Sequence, residues 1–410
     1  MFNFTLRNLA RLLTPTLCLF LSFSVAATEI RVSVLLAPQQ RSPYDDEFQR
    51  FTQETGIKVV TIPRHDSDYK ADMSSWLLGG TKAPDVMFWQ ASHRLTKFAE
   101  SGAIRPITQL WNEQNLDRAF AQVKAGVTYK GDVYGLPISY YQWGLYYKKS
   151  LIEKFGGAPR NWEEFVAQCE RLKRAGITPL GIGTAGSWPV AAWFDYLDLR
   201  INGLPFHMQL LNGKVSFRDL RTQQVLIEWK KLIDGKYFNA DNRALNWDEV
   251  LPWLYRDRIA YTLIGAFVVT RLPHEIEGEF AFMPFPEIKN IPLYEEAPMD
   301  ILIISKNTSK PREAEAFLKF MSRADTQAKL NTALGLLSPN REAAAGQSEF
   351  IRAGVELFAR AKGVSQYFDR DTAPEFEKRA MPILVEFLNN GNIRLATEKL
   401  EKARFDVFPQ

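Results

Sequence analysis

The chain has 410 residues, and its 51 Lys and Arg side chains against 47 Asp and Glu give a formal net charge of +4. This small charge, without a block of like charges, argues against nucleic acid as a partner. The length allows two domains or slightly more, each large enough to bury its own core.

Residues 1–27 have the pattern of a secretory signal peptide. Arg7 and Arg11 precede a mainly apolar run over 12–25, and small residues at 25–27 suit a cleavage site. The run is shorter than the roughly 20 residues that a membrane-spanning helix needs. We therefore expect export to the periplasm.

The two cysteines have different expected roles. Cys18 lies inside the apolar run and follows bulky Leu17, which disfavours a lipid anchor. Cleavage of the signal leaves Cys169 alone, so no intramolecular disulfide is possible. We expect a freely diffusing protein that is stabilised by packing.

Short apolar runs alternate with amphipathic stretches at the start of the mature chain. Strands are predicted at 30–36, 57–62 and 86–89, and helices begin at Ser42–Pro43, near Tyr69 and at about Arg94. Strict alternation of strand and helix predicts a parallel sheet that is covered on both faces.

The alternation resumes after a break near Pro137. Asn161 and Glu164 form a capping box, and the helix that follows places Cys169 on its apolar face. Buried strands are predicted at 177–182, 259–264, 280–285 and 301–304. No Gly/Ser linker separates the parts, so the chain is expected to cross between two lobes more than once.

The sequence Gly181-Ile182-Gly183-Thr184-Ala185-Gly186 matches the G-x-G-x-x-G pattern of dinucleotide-binding loops. Two interpretations are open, a phosphate-binding loop and a glycine-rich loop that only precedes a helix. The second is favoured, because Trp188 and Pro189 crowd the position of a pyrophosphate and the expected acid about 20 residues on is not clearly placed.

Evidence for an enzyme is weak. No pair of carboxylates stands out for hydrolysis, and the four histidines are scattered rather than spaced as metal ligands. Neither catalytic residues nor a metal site nor a cofactor is predicted.

Aromatic and polar residues cluster in loops that follow predicted strands. Ligands of open parallel sheets sit beyond the carboxyl ends of the strands. Sugars present C–H faces to aromatic rings and hydroxyl groups to polar side chains, so this mixture favours a carbohydrate. The candidates in these loops are Gln39, Arg41, Trp89, Gln90, His93, Arg94, Ser187 and Trp188.

Several segments resemble the maltose-binding protein family. Residues 83–89 (APDVMFW) resemble the family segment that ends a strand with a ligand-stacking tryptophan, and 134–137 with 145–151 resemble its first interlobe crossing. Residues 311–318 and 337–340 are similar to its C-terminal half. The resemblance implies the type II periplasmic binding protein fold, in which two doubly wound α/β lobes are joined by a three-segment hinge.

The resemblance also implies roles for single residues. Trp89 would stack on the ligand and Arg94 would bind a sugar hydroxyl, whereas His93 and Tyr141 stand where maltose-binding protein has carboxylates. Phe267 replaces a stacking tryptophan. Tyr140 and Trp188 lie in the matching crossing and interlobe loop, and Asp300 would restore one carboxylate.

The predicted N-lobe comprises 28–137 and 265–299, and the predicted C-lobe comprises 138–264 and 300–410. Crossings are expected near 137–140, 262–265 and 299–300. The implied function is a monomeric periplasmic protein that delivers a sugar to the permease of an ABC transporter. Alternatives are presentation of the ligand to a membrane sensor, a periplasmic carbohydrate-active enzyme, and a polyamine or peptide ligand.

Overall fold

The computed structural model describes Met1 and residues 28–408, apart from positions 36–37, 65 and 80–81. The predicted signal peptide beyond Met1 therefore lies outside the described residues, as does the side chain of Gln39. Within the described part of the chain, no helix combines the length and apolar character needed to cross a membrane.

The structure mixes strands and helices along its whole described length. The strands are β1 (Glu29–Leu35), β2 (Lys58–Arg64), β3 (Val86–Gln90), β4 (Thr128–Tyr129), β5 (Asp132–Val133), β6 (Leu136–Tyr140), β7 (Trp143–Lys148), β8 (Thr178–Gly181), β9 (Ile259–Gly265), β10 (Phe280–Met283), β11 (Tyr294–Glu296), β12 (Met299–Ile304) and β13 (Gly363–Ser365). The helices are α1 (Pro38–Thr55), α2 (Asp66–Leu78), α3 (His93–Glu100), α4 (Thr108–Glu113), α5 (Asp117–Phe120), α6 (Lys149–Lys154), α7 (Trp162–Arg174), α8 (Ala191–Ile201), α9 (Leu204–Leu211), α10 (Leu220–Asp234), α11 (Leu251–Tyr255), α12 (Pro311–Met321), α13 (Ala324–Leu334), α14 (Glu349–Arg360), α15 (Phe368–Asp371), α16 (Pro374–Asn390) and α17 (Ile393–Val407).

The first sheet has the strand order β2-β1-β3-β12-β6. Strands β1, β2 and β3 are parallel, as the alternation of strands and helices predicted. Strand β12 is antiparallel to both β3 and β6, so the expectation of a purely parallel sheet is wrong for this half. The late strand runs in the opposite direction because it enters the sheet from the other lobe.

Helix α1 begins four residues before the predicted start at Ser42. Pro38 occupies the first helical position, where a missing N–H costs little, and Pro43 lies inside the helix. The predicted apolar face is confirmed, since Tyr44, Phe48 and Phe51 are all buried against the sheet and its covering helices.

The second sheet has the order β10-β7-β9-β8. Helix α7 covers it, and one half of the predicted capping box is present because Asn161 Oδ1 accepts from the backbone N–H of Glu164 at 3.0 Å. The Glu164 carboxylate accepts instead from the backbone N–H of Arg160, at 2.9 Å. Cys169 is fully buried on the inner face of this helix, as expected.

Strand pairing corrects the predicted division into lobes. β10 lies within the predicted N-lobe segment 265–299 but pairs with β7 in the second sheet. β12, α12 and α13 lie within the predicted C-lobe segment 300–410 but pack on the first sheet. The chain therefore stays with the second sheet after β9, where β10 pairs with the outer edge of β7.

Two of the predicted crossings are displaced, and the one expected at 262–265 is wrong, because β9 and the following strand β10 belong to the same sheet. β6 belongs wholly to the first sheet and β9 wholly to the second. The first passage from one sheet to the other is therefore the pair Tyr141–Gln142, which connects β6 to β7. The passage expected at 299–300 falls just before β12, at Ala297–Pro298.

Candidate ligand-binding site

A cavity of about 590 Å³ lies between the two sheets. Its lining is partly from the first sheet and its helices and partly from the second. The lining residues are Tyr44, Arg64, Asp68, Lys70, Phe88, Gln90, Tyr141, Trp143, Gly186, Trp188, Pro189, Asn246, Trp247, Asp248, Phe267, Arg271, Pro298, Asp300, Leu334, Leu336, Tyr367, Asp369 and Arg370. The volume falls within the range of roughly 300–1,000 Å³ that is usual for small-molecule sites.

Aromatic rings form the side of the cavity that belongs to the second sheet. Phe267 packs edge-on against Trp247, with ring centroids 5.2 Å apart, and lies 6.2 Å from Trp188. Trp143 packs beneath them against Tyr367, at 4.7 Å. These contacts hold several rings at fixed angles, and they leave Trp188, Trp247 and Phe267 only half-buried.

The glycine-rich loop after β8 places Trp188 beside Trp247. A Cβ atom on Gly183 would lie 2.1 Å from the carbonyl oxygen of Asn246, so only glycine permits this approach. The backbone N–H of Thr184 donates to the Asn242 carbonyl at 2.7 Å. Gly183 of the G-x-G-x-x-G motif therefore serves the packing of two loops, which agrees with the favoured interpretation of a glycine-rich loop before a helix.

Polar groups line the side that belongs to the first sheet. Gln90 ends β3, and Asp300 lies opposite it on β12. Arg64, Asp68 and Lys70 come from the end of β2 and the start of α2. This wall supplies both hydrogen-bond donors and acceptors.

The Asp300 carboxyl group forms an ion pair with the buried guanidinium group of Arg370. Arg370 Nη1 lies 3.3 Å from Asp300 Oδ1 and donates to the Met299 carbonyl at 3.0 Å, while its Nη2 donates to the Tyr141 hydroxyl at 2.9 Å. Burial raises the pKa of Asp300 to about 6, although Arg370 opposes the shift. Burial likewise raises the pKa of Tyr141, so its hydroxyl stays neutral.

The segment around α15 contributes cavity residues that the sequence analysis missed. Tyr367 donates from its hydroxyl to the Trp188 carbonyl at 2.8 Å and thereby fixes the loop that carries the ring. Asp369 and Arg370 follow it in the cavity lining. The only local signal was the run of charged residues after two aromatic residues, which alone does not distinguish a site from a surface turn.

Trp143 and Trp247 were also missed. Trp143 begins β7 two residues after Tyr141, a spacing that places both on one side of an extended chain. That spacing could have identified Trp143 as a candidate cavity residue from the sequence. Trp247 lies in an irregular stretch between the 3-10 turn at Asn242–Ala244 and α11, where the sequence pattern gave no indication.

Five of the predicted ligand residues line the cavity, namely Gln90, Tyr141, Trp188, Phe267 and Asp300. They come from β3, the first crossing, the loop before α8, the 3-10 turn that follows β9, and β12. The structure therefore brings together residues that lie far apart in the sequence.

Trp89 does not line the cavity, contrary to the role implied by the resemblance. The residue is 6% exposed, its ring lies between Tyr69 and Phe98, and its Nε1 donates to the Arg94 carbonyl at 3.0 Å. Successive residues of a strand face opposite sides, so Phe88 and Gln90 reach the cavity while Trp89 packs into the core.

Arg94 and His93 also stand outside the lining. Arg94 Nη2 pairs with Asp369 Oδ2 at 2.7 Å, and its Nε donates to the Asp369 carbonyl at 3.0 Å. The guanidinium is therefore bound to a cavity residue instead of facing the cavity itself. His93 begins α3 and is half-buried.

The remaining predicted residues lie elsewhere. Tyr140 packs on Phe358 with ring centroids 5.5 Å apart, and Arg41 forms an exposed ion pair with Asp45 at 3.0 Å. Ser187 adopts a left-handed conformation with φ of 58° beside Trp188, but does not itself line the cavity. These residues are peripheral because they sit behind or beside the elements that form the walls.

Comparison with known proteins identifies the fold. The bacterial solute receptor AcbH superposes with a TM-score of 0.88 at 23% identity, covering 93% of this chain and 100% of that chain. A chitin oligosaccharide binding protein superposes with a TM-score of 0.82 at 18% identity, covering 93% and 98%. The predicted type II periplasmic binding protein fold, with two α/β lobes, is confirmed.

Comparison of the amino-acid sequence also identifies binding proteins as relatives. An ABC transporter extracellular-binding protein of Pyrococcus horikoshii is 24% identical over 392 residues, which cover 90% of this chain and 86% of that protein. The model of the family described as bacterial extracellular solute-binding protein matches residues 37–328. The chain therefore belongs to the bacterial extracellular solute-binding protein family.

Proposed function

We propose that this protein captures a neutral sugar or short oligosaccharide between its lobes in the periplasm and delivers it to the permease of an ABC transporter. The observation that carries the proposal is the pairing of half-buried rings with polar groups around one cavity. Trp188, Trp247 and Phe267 offer faces for the C–H surface of a sugar. Gln90 and Asp300 on the other side offer partners for its hydroxyl groups.

The charges around the cavity favour a neutral ligand. Among the described lining residues, the carboxylates of Asp68, Asp248, Asp300 and Asp369 are matched in number by the cations of Arg64, Lys70, Arg271 and Arg370. A polyamine would favour an excess of carboxylates, and an anionic ligand would favour an excess of cations. A lining with equal numbers of carboxylates and cations therefore favours neither a polyamine nor an anionic ligand.

The relatives support a sugar and an importer. The receptor AcbH has an exclusive substrate preference for β-D-galactopyranose, and the second structural relative binds chitin oligosaccharides. The Pyrococcus horikoshii relative is assigned to an ABC transporter. Because these relatives are binding proteins, we propose that the chain returns its ligand chemically unchanged.

The mechanism that we propose is closure of two rigid lobes about three crossings. The crossings are Tyr141–Gln142, Ala297–Pro298 and the stretch 335–348 between α13 and α14. Small dihedral changes at these positions suffice to open the cavity while both sheets stay intact. The ligand favours the closed form only by its greater affinity for that form, and the permease recognises closure.

Titration calorimetry tests the proposal with the chain lacking residues 1–27. D-galactose, maltose, raffinose and N,N′-diacetylchitobiose serve as probes, with spermidine as the charged control. We expect saturable binding of at least one sugar, no binding of spermidine, a smaller radius of gyration by X-ray scattering, and recovery of intact sugar after prolonged incubation. Absence of binding by every sugar would contradict the proposed ligand class, and a hydrolysed product would contradict a binding role.

A further inference from the structure

Helix α3 of the first lobe contacts the segment α15–α16 of the second lobe. α3 belongs to the first lobe because Phe98 packs on Trp89 of β3, with ring centroids 5.5 Å apart. α15 belongs to the second lobe because the backbone N–H of Phe368 donates to Asp195 of α8 at 2.7 Å, and α8 packs against β9. Contacts between α3 and α15–α16 therefore join the lobes directly, outside the three crossings.

The two surfaces that meet here carry opposite charges. The first lobe contributes cations from α2 and α3, namely Lys70, Arg94 and Lys97. The second lobe contributes carboxylates from α15 and α16, namely Asp369, Asp371, Glu375 and Glu377. Burial would raise the pKa of Asp369, but Arg94 and Lys70 outweigh this effect and hold the pKa below its ordinary value. Complementary charges of this kind favour association of the two surfaces.

Arg94 lies at the centre of the contact. Its Nη2 lies 2.7 Å from Asp369 Oδ2 and 3.6 Å from Glu377 Oε1, and its Nε donates to the Asp369 carbonyl at 3.0 Å. The side chains of Arg94 and Asp369 are only 11% and 6% exposed. One planar guanidinium therefore makes two charge-assisted hydrogen bonds to a single residue of the other lobe, and salt screens such a shielded pair only weakly.

Ser92 adds a hydrogen bond between the lobes. Its Oγ donates to Asp371 Oδ1 at 2.8 Å, and Asp371 Oδ2 accepts from the backbone N–H of Gln366 at 2.6 Å. Ser92 has φ of 65° and ψ of −140°, a conformation that is costly for a residue other than glycine and persists where surrounding contacts fix it. A strained residue therefore lies at the contact between two parts that move relative to each other.

Resting on the lobe closure proposed above, we propose that this contact is an interlobe latch that stabilises the closed form independently of the ligand. The interlobe latch consists of Ser92, Arg94 and Lys97 on one side and Asp369, Asp371, Glu375 and Glu377 on the other. Opening of the lobes separates these pairs, so the latch raises the fraction of closed molecules. Apparent affinity for a ligand increases with the fraction of molecules in the binding-competent form.

The experiment measures the interlobe latch without any ligand, in the chain lacking residues 1–27. Spin labels at Leu78→Cys on α2 and Lys402→Cys on α17 place one exposed probe on each lobe. Cys169 is fully buried and stays unlabelled. Pulsed electron paramagnetic resonance should resolve two distances between the labels, and their populations give the ratio of closed to open molecules.

Arg94→Gln should lower the ratio of closed to open molecules at least about 5-fold. Arg94→Lys should lower the ratio less, because it keeps the charge but cannot hold both groups of Asp369. Arg174→Gln is the matched control, since Arg174 pairs with Glu170 of the same helix at 2.9 Å. It should leave the ratio unchanged.

Glu377→Gln tests the interlobe latch without removing either partner of the most buried pair. The Glu377 side chain is 21% exposed and does not line the cavity. We expect this variant to lower the ratio of closed to open molecules in the same direction as Arg94→Gln, while near-ultraviolet circular dichroism stays that of the folded wild type. Calorimetric affinity for the tightest binder among D-galactose, maltose, raffinose and N,N′-diacetylchitobiose should fall in proportion to the closed fraction.

Two results would contradict the inference in different ways. An unchanged ratio in both Arg94→Gln and Glu377→Gln would overturn the interlobe latch alone. A single label distance in the wild type that none of the four sugars changes would overturn the proposed lobe closure, and the interlobe latch with it.

Discussion

Asp300 lies opposite Gln90 in the antiparallel pairing of β12 with β3. Both side chains line the cavity, and each is only 8% exposed. An ionisable carboxyl group and an amide thus lie side by side on the wall of the cavity that belongs to the first sheet. Because strand pairing fixes their separation, this part of the site is built into the strands of the first sheet.

Trp188→Ala should weaken sugar binding, because it removes a half-buried ring from the cavity. The expected loss is about 1–3 kcal/mol, or roughly 5- to 150-fold in Kd. Trp89→Phe is the matched control, since Trp89 packs in the core. It should lower the free energy of unfolding by about 1–3 kcal/mol and leave calorimetric affinity unchanged. The opposite result would restore Trp89 as a ligand residue.

Gly183→Ala should disturb the pair of loops that carries Trp188 and Trp247. The added methyl group meets the Asn246 carbonyl oxygen, so we expect a lower Tm together with weaker sugar binding. Gly278→Ala is the control, because no atom lies within 4 Å of a Cβ at that position. Differential scanning fluorimetry and calorimetry measure both effects. Equal behaviour of the two variants would contradict the close approach of the loops.

Asp300 should make stability depend on pH. Its pKa is about 6 in the folded protein against 3.8 for an ordinary aspartate. The folded state therefore binds this proton more tightly, and the group lowers the free energy of unfolding as pH rises through that interval, by roughly 3 kcal/mol in full. We expect Asp300→Asn to reduce the difference in unfolding free energy between about pH 4 and about pH 7.5, measured by urea titration. The same difference in variant and wild type would contradict this role.

Arg370→Met should destabilise the protein strongly, because it leaves the buried Asp300 carboxyl group without its cation, so that the group must either stay charged and unpaired or take up a proton. The expected cost is about 3–5 kcal/mol at neutral pH. Adding Asp300→Asn should recover part of this loss, since the unpaired charge is then absent. Urea unfolding of both single variants and the double variant gives the coupling free energy between Arg370 and Asp300. Strictly additive effects would show that the two groups do not interact.

Much of the first lobe could be predicted from local patterns. The apolar spacing of Tyr44, Phe48 and Phe51 and the stop at Gly56 depend on neighbours along the chain, and the structure confirms them. Phe267 and Asp300, two of the predicted ligand residues, line the cavity. Their identification depended on the resemblance, and both lie beside the ends of strands.

The remainder of the site depends on contacts between distant segments. The alternation of residues along β3 decides that Gln90 reaches the cavity and Trp89 does not, and this requires knowing which face of the sheet meets the other lobe. The ion pair of Arg94 with Asp369 joins α3 to α15, and no local pattern links the two. The lobe division failed for the same reason, because the pairing of β10 and β12 is non-local.

Strand β12 occupies the position between β3 and β6 in the first sheet. The sheet therefore cannot be completed until the chain has been synthesised as far as Ile304, long after β1, β2 and β3 are available. A fragment ending before Met299 would leave the inner edge of β3 unpaired and exposed to association with other chains. This arrangement makes the first sheet depend on a contact of long sequence separation, so the first lobe is expected to fold slowly and only after the chain through Ile304 is available.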